Sequence, residues 1–330
     1  LTDNLNHNIF IRLVTLWIII EAFLGGIVHA TKLPISGILI GGGAIICISM
    51  IAFYVDDKSS ILKATILVAI FKMLLSPHSP PPAYLAVFFQ GLIGYVLFMR
   101  TNFFMIRSIF FSVICFFESA IQRILVMTII YGKGFWDTIN VFIQGITQKM
   151  EITNYSLILV SCYVIIHLII GLFIGVFISK IPTKLTSFVP HESEVLTEQN
   201  SLFHTKKASK KSSFIWLFAI AMLSGIYWLS SNNILFSAKL FNQIIGIIFR
   251  SSIILTIWKF IIGPYIIKYL KKYLMSTSKK YQYQIEAINN ILPEMKYLLN
   301  EAWLLSKEQS KFNRLKYFIL HVLHRTVYVS

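Results

Sequence analysis

Glu21, Glu118 and Arg123 are ionisable side chains set inside long apolar runs of the chain. A charge surrounded by hydrocarbon is costly, so such groups normally face a cavity or a partner of opposite sign. A buried carboxylate there offers exchange of a proton or capture of a cationic ligand group. At about 100° per residue, a helix places Glu21, Gly25 and His29 on one face. On another helix Glu118 and Gln122 lie one turn apart, Arg107 returns to nearly the same face three turns earlier, and Arg123 points mostly elsewhere. Two readings stay open: the stripe lines a ligand cavity, or the carboxylates form structural ion pairs, Glu21 with Arg107 or Arg123 across the bundle. Gln90 and His167 add neutral donors and acceptors, and Tyr84 with His78 could complete an outward-facing pocket. Each alone reads as a satisfied packing residue. Convergence would make the solute-binding set Glu21, His78, Tyr84, Gln90, Glu118, Gln122 and His167.

The chain carries no G-x-x-x-x-G-K-S/T phosphate loop, no H-E-x-x-H and no G-x-S-x-G, so no enzyme, cofactor or metal centre is expected. Gly41-Gly42-Gly43 lies inside an apolar helix with no phosphate-binding lysine beside it. Any ATP-driven work then belongs to another chain. Cys47, Cys115 and Cys162 are isolated inside apolar spans and indicate neither a disulfide framework nor a zinc site.

The elements that must hold these groups are apolar helices, expected over 9–30, 35–54, 61–75, 84–99, 104–130 and 155–179. The first reads as a true span of the mature protein, since it holds Glu21 and lacks a clear small-residue cleavage site. Gly37/Gly41 and Gly171/Gly175 are small-residue pairs that let a neighbouring helix approach closely. Lys63 and Lys72, near the ends of the third helix, are placed to snorkel toward headgroups. Between the third and fourth helices stand Pro77, Pro80, Pro81 and Pro82 around His78, a stretch that cannot be regular helix and must turn or run extended. Such backbone survives in lipid only where protein or a polar cavity covers it. Residues 131–154 have the aromatic spacing of an interfacial helix.

Composition then divides the chain linearly: a six-span bundle over 1–180, a polar basic linker over 181–213, two further membrane segments over 214–270, and an amphipathic helical tail over 271–330. Arg250, Lys259 and Gly263-Pro264 interrupt the long apolar stretch near 235–270, which is either one kinked helix or two pieces. In the tail, apolar residues from Ile288 to Val322 recur every three to four positions, with a break near 306–310. Pro293 interrupts the first tail helix or marks its first turn.

Of 330 residues, 56% are apolar and 13% charged, and the mean hydropathy is +0.71. Soluble domains carry roughly 25% charged residues, so this is the composition of an all-α polytopic membrane bundle. The net charge of +16 calls for no nucleic acid, because lysine and arginine accumulate in the cytoplasmic loops of membrane proteins. With both termini cytoplasmic, Lys58, Arg100, Lys180, Lys184 and the linker fall inside, the arrangement that this bias favours. The expected location is the bacterial cytoplasmic (inner) membrane.

The first 180 residues resemble the substrate-binding S component of an energy-coupling-factor transporter. The features that carry the likeness are six spans, the start Glu21-Ala22-Phe23-Leu24-Gly25-Gly26, Leu33-Pro34 before a glycine-rich second span, and the SPHSPPPAYLAVFFQG stretch. The tail from Leu292-Pro293-Glu294 through Glu301-Ala302 is faintly similar to the coupling region of the T component. It departs from that pattern where Trp303 follows Ala302 in place of an Arg-Gly pair. The resemblance implies an S-component-like core that takes up a vitamin-like solute. Glu21, Tyr84, Gln90, Glu118 and Gln122 would line its cavity, and Ala22, Gly25 and Gly26 would pack on a coupling subunit. Pro293, Glu294, Glu301 and Ala302 would face a separate ATPase. The other class compatible with the residues is a non-transporting scaffold subunit of a larger membrane complex.

Overall fold

The computed structural model describes residues 2–25, 36–76, 79–100, 102–147, 154–189 and 238–328. His78, Gly26, His29 and residues 190–213 of the expected linker, with the following apolar segment near 214–229, lie outside the described residues; the linker's first residues are instead a short helix that buries Ile181, Pro182 and Leu185. The described chain is all-α, with six helical runs long and apolar enough to cross a membrane.

The helices in chain order are α1 (Thr2–Ile18), continued by a π-helical segment Ile19–Leu24, α2 (Ser36–Tyr54), α3 (Ser60–Leu75), α4 (Pro81–Phe98), α5 (Phe104–Tyr131), α6 (Lys133–Thr147), α7 (Tyr155–Ser179) and α8 (Ile181–Thr186). After the linker come α9 (Ala238–Ile257), a π segment Trp258–Ile262, α10 (Gly263–Ser278), a 3-10 turn Lys279–Tyr281, α11 (Gln282–Ser306) and α12 (Lys311–Tyr328).

They form two compact, discontinuous units: 1–121 with 164–201 and 263–330, and 122–163 with 202–262. In the first unit α1 packs against α2, α3, α11 and α12, while α4 packs against α2 and α3. Its core includes Trp17, Phe71, Phe111 and Phe116, all fully buried. In the second unit α6 packs on α9, Trp136 Nε1 donates to Thr128 Oγ1 at 3.1 Å, and the Ser156 amide donates to Asn140 Oδ1 at 2.7 Å. Gly132 joins α5 to α6 with φ +76°, a conformation that a side chain would strain.

Local sequence explains the junctions. Asp56-Asp57-Lys58 closes one helix and opens the next. The Lys58 ammonium donates to the carbonyls of Ala52 (2.7 Å) and Val55 (2.9 Å) at the end of α2. The Asp57 carboxylate accepts from the Ser59 amide at 2.9 Å and from Lys63 at 2.8 Å as α3 begins. Lys63 thus stays outside, as a residue near a span end should.

The fourth helix begins at Pro81, three residues before the expected start. Pro80 is extended (φ −69°, ψ 150°) and the next two prolines occupy the first helical positions, where their missing N–H groups cost nothing. With 18 residues it rises about 27 Å, close to the apolar thickness of a bilayer. Pro293 likewise sits within α11 rather than at its start. The apolar stretch before Pro264 stays helical, with a π segment directly ahead of the proline. A wider turn is one way to accommodate a residue that cannot donate to the preceding turn.

α11 lies along the first span and parallel to it. Tyr283 meets His7 with ring centroids 5.6 Å apart, Arg12 bonds Glu294 at 3.1 Å, and Lys296 stands 3.9 Å over the Phe23 ring. The amphipathic pattern explains this placement: Ile288, Met295, Leu298, Ala302 and Leu305 are buried and needed an apolar partner.

Candidate functional site

The π-helical segment at the end of the first span contains Glu21. Its wide turn is marked by the Gly25 amide, which donates to the Ile20 carbonyl five residues back. Single π turns inside helices are frequent at functional sites. Here the turn buries Glu21 together with Ile19 and Ala22.

Glu21 pairs with Lys72 of α3, Nζ to Oε2 at 2.5 Å, with both side chains nearly inaccessible at 4% and 3% exposure. This corrects two expectations. The partner of Glu21 is neither Arg107 nor Arg123, and Lys72 does not snorkel. Lys72 continues the stripe Ile61, Thr65 and Val68, all buried, so its stem points into the bundle and its ammonium has no path to solvent along that face.

The pair meets α4. Lys72 Nζ approaches the Ala83 carbonyl at 3.4 Å and lies 5.9 Å from the centroid of the Tyr84 ring. Tyr84, Val87, Gln90, Gly91 and Gly94 form the buried face of α4. On it Gln90 Oε1 is a buried acceptor without a hydrogen-bond partner, and Gln90 Nε2 lies 3.6 Å from where a Cβ on Gly41 would stand. Gly37, one turn earlier on α2, faces Ser119 Oγ of α5 at 3.0 Å by the same measure. The glycine stripe of the second span is therefore where polar groups of the fourth and fifth approach it.

Glu118, beside Ser119, is half-buried, and its Oε2 has no hydrogen-bond partner. Two members of the expected solute set, Glu21 and Tyr84, thus meet at Lys72, which lay outside that set, while Gln90 is buried six residues further along the same face of α4. The discoverable signal was the continuity of Lys72 with the buried stripe of its own helix. Gln122 falls in the second compact unit, and His167 is buried on α7.

The expected partner-coupling residues are placed as follows. Ala22 is buried, and a Cβ on Gly25 would lie 3.7 Å from Ile40 Cδ1 of α2. Pro293 is exposed, Glu294 accepts from Arg12, Glu301 is half-buried, and Ala302 is fully buried. Among the described residues no group of three or more His, Cys, Asp or Glu is arranged to hold a metal ion. Two clefts, of about 260 and 190 Å³, open near the Tyr54 end of α2, the first against Asn6 and His7 and the second against Arg100 and Arg107. The chain matches no family model, no curated protein and no solved structure.

Proposed function

We propose that the protein is a membrane subunit for uptake of a small polar solute, and that the solute engages the Glu21–Lys72 pair beside Tyr84, with Gln90 further along the same buried face of α4. The observation that carries this reading is the ion pair of Glu21 and Lys72, sealed inside the first and third helices at a π-helical turn. A buried pair is weak evidence for stability, since an apolar pair of similar volume often serves as well. A charged pair within a span is more often retained for a ligand, a proton or a conformational switch. A vitamin-like solute carrying a carboxylate or an amine would compete for one partner and free the other. It would thereby favour one conformation over another. The S-component likeness of the first 180 residues supports the same reading, and by that likeness the energy for uptake would come from a separate ATPase.

The test is a thermal-shift screen of vitamin-like solutes on the full chain in lipid nanodiscs. A stabilising solute should be found, and its effect should vanish in the doubly apolar variant Glu21→Leu/Lys72→Leu, which leaves no unpaired charge. A solute response preserved in that variant would overturn the assignment.

A second reading is a scaffold subunit, favoured by the placement of the tail. Glu294 and Ala302, expected to meet an ATPase, are engaged by the chain itself. Absence of any stabilising solute, together with stoichiometric co-purification of a membrane partner that is not an ATPase, would favour it.

A further inference from the structure

The second cleft lies where three helix ends come together: the end of α2, the end of α4 and the beginning of α5. Lys58, Arg100 and Arg107 line it with Phe53, Phe98 and Phe104, and its lining contains no carboxylate. Arg107 Nη1 is buried without a hydrogen-bond partner. Neither arginine takes part in a salt bridge among the described residues. Lys58 spends two of its donors on the carbonyls of Ala52 and Val55, and an ammonium has three. The cleft therefore presents unspent cationic donors in a small hollow of about 190 Å³. Arg107 stands in the first turn of α5, where the helix dipole also favours an anion.

The aromatic walls and their surroundings narrow the choice of anion. Phe98 and Phe104 pack at 5.8 Å, and Phe53 and Phe104 edge to face at 5.0 Å, giving one side of the cleft an apolar rim. Beside it Met99, Phe103 and Met105 are exposed. Phe103 holds a left-handed φ of 61°, a conformation that a bulky residue adopts only where its surroundings impose it. A soluble anion would find no use for that exposed apolar margin, whereas acyl chains would cover it.

We infer that this cleft is a site for the phosphate of an anionic membrane lipid, with Arg100, Arg107 and the spare Lys58 donor on the phosphate oxygens and the chains against Phe53, Phe103 and Met105. The site stands at the ends of α2 and α4 and the start of α5, three helices long and apolar enough to cross a membrane, which puts it at the membrane surface. Guanidinium forks suit phosphate oxygens by geometry as well as charge.

The experiment is native mass spectrometry of the full chain in detergent, supplied with phosphatidylglycerol, phosphatidylcholine or inorganic phosphate. The wild type should retain one phosphatidylglycerol per chain in preference to phosphatidylcholine. Exposed Arg100→Gln should weaken retention about fivefold, the effect of one surface cation on an anionic lipid, and Arg107→Gln more strongly. A thermal melt checks that the Arg107 variant is folded; if it is not, the Arg100 variant decides. Equal retention of the two lipids, or retention unchanged in the Arg100 variant, would overturn the site. Displacement of phosphatidylglycerol by an equal concentration of inorganic phosphate would show a free-anion site and overturn the lipid assignment.

Discussion

Glu21 announces itself by charge in an apolar run, but its two expected partners were arginines of the fifth helix, and the residue that pairs with it is the lysine read as interfacial. Taking away one member of a buried pair strands the other charge, which typically costs 3–5 kcal/mol, whereas replacing both with apolar groups can be neutral. Glu21→Gln or Lys72→Met should therefore lower stability by about 3–5 kcal/mol, and Glu21→Leu/Lys72→Leu by much less. Denaturant unfolding in mixed micelles reads the difference, and additivity of the two single variants would show that they are not coupled.

A second residue-level prediction concerns His321 of α12, whose two ring nitrogens are buried without partners. Burial, then the neighbouring Arg325 and His324, pushes its pKa from 6.5 down to about 4. Between those values the unfolded chain binds the proton and the folded one does not. The stability held by the neutral ring is complete above pH 6.5 and is lost as pH falls toward 4. Lys184 comes from the packed helix α8, and its pKa is itself lowered, first by its own burial and then by Lys316 and Lys180. His321→Phe should flatten the melting temperature over this window.

The helices depend on one another through glycine contacts that are one atom deep. A Cβ on Gly175 of α7 would lie 2.6 Å from the Cα of Ile109 on α5, and one on Gly171 would lie 3.0 Å from the Cα of Val113. Backbone cannot move aside as a side chain can, so Gly175→Leu should separate the two helices and cost about 1–3 kcal/mol or more. Gly145, with nothing within 4 Å of its added Cβ, is the matched control. Gly145→Ala should leave the melt unchanged or raise it by up to about 1 kcal/mol through helix propensity. The spacing of Gly171 and Gly175 was readable in advance as a packing surface, and the structure supplies the opposing strip of α5. The start of α4 was not readable in the same way. Proline is a breaker in a helix interior and a favoured residue in the first turn, and only the backbone conformation of Pro80 distinguishes the two.

Across the molecule the main finding is that the C-terminal helices cover the first span. Arg12 donates both to Glu294 and to the Arg325 carbonyl at 3.3 Å, so one side chain bridges α1, α11 and α12. Removing residues 282–330 would expose the apolar side of α1 and take away the Glu294 and Arg325 acceptors of this half-buried arginine. The truncated protein is expected to melt at a distinctly lower temperature and to aggregate on size-exclusion chromatography. A truncated protein with the melt and elution of the full chain would show that the tail is independent of the bundle. The discontinuous composition of the two units has the same origin: helices distant in sequence meet because each leaves an apolar face that its sequence neighbours do not cover.

Taken alone, the sequence determined the membrane class, the positions of most spans, the polar turn at Asp56-Asp57-Lys58 and the identity of the costly charges, because each follows from local hydropathy, periodicity or turn chemistry. Tertiary structure alone decided that Lys72 neutralises Glu21, that α11 runs beside α1, and that Arg100, Arg107 and Lys58 share a cleft. Those outcomes depend on which helix faces come together, and an apolar face or a lone charge states only that it needs a partner. The choice of partner is made by the shape and charge of elements far away along the chain.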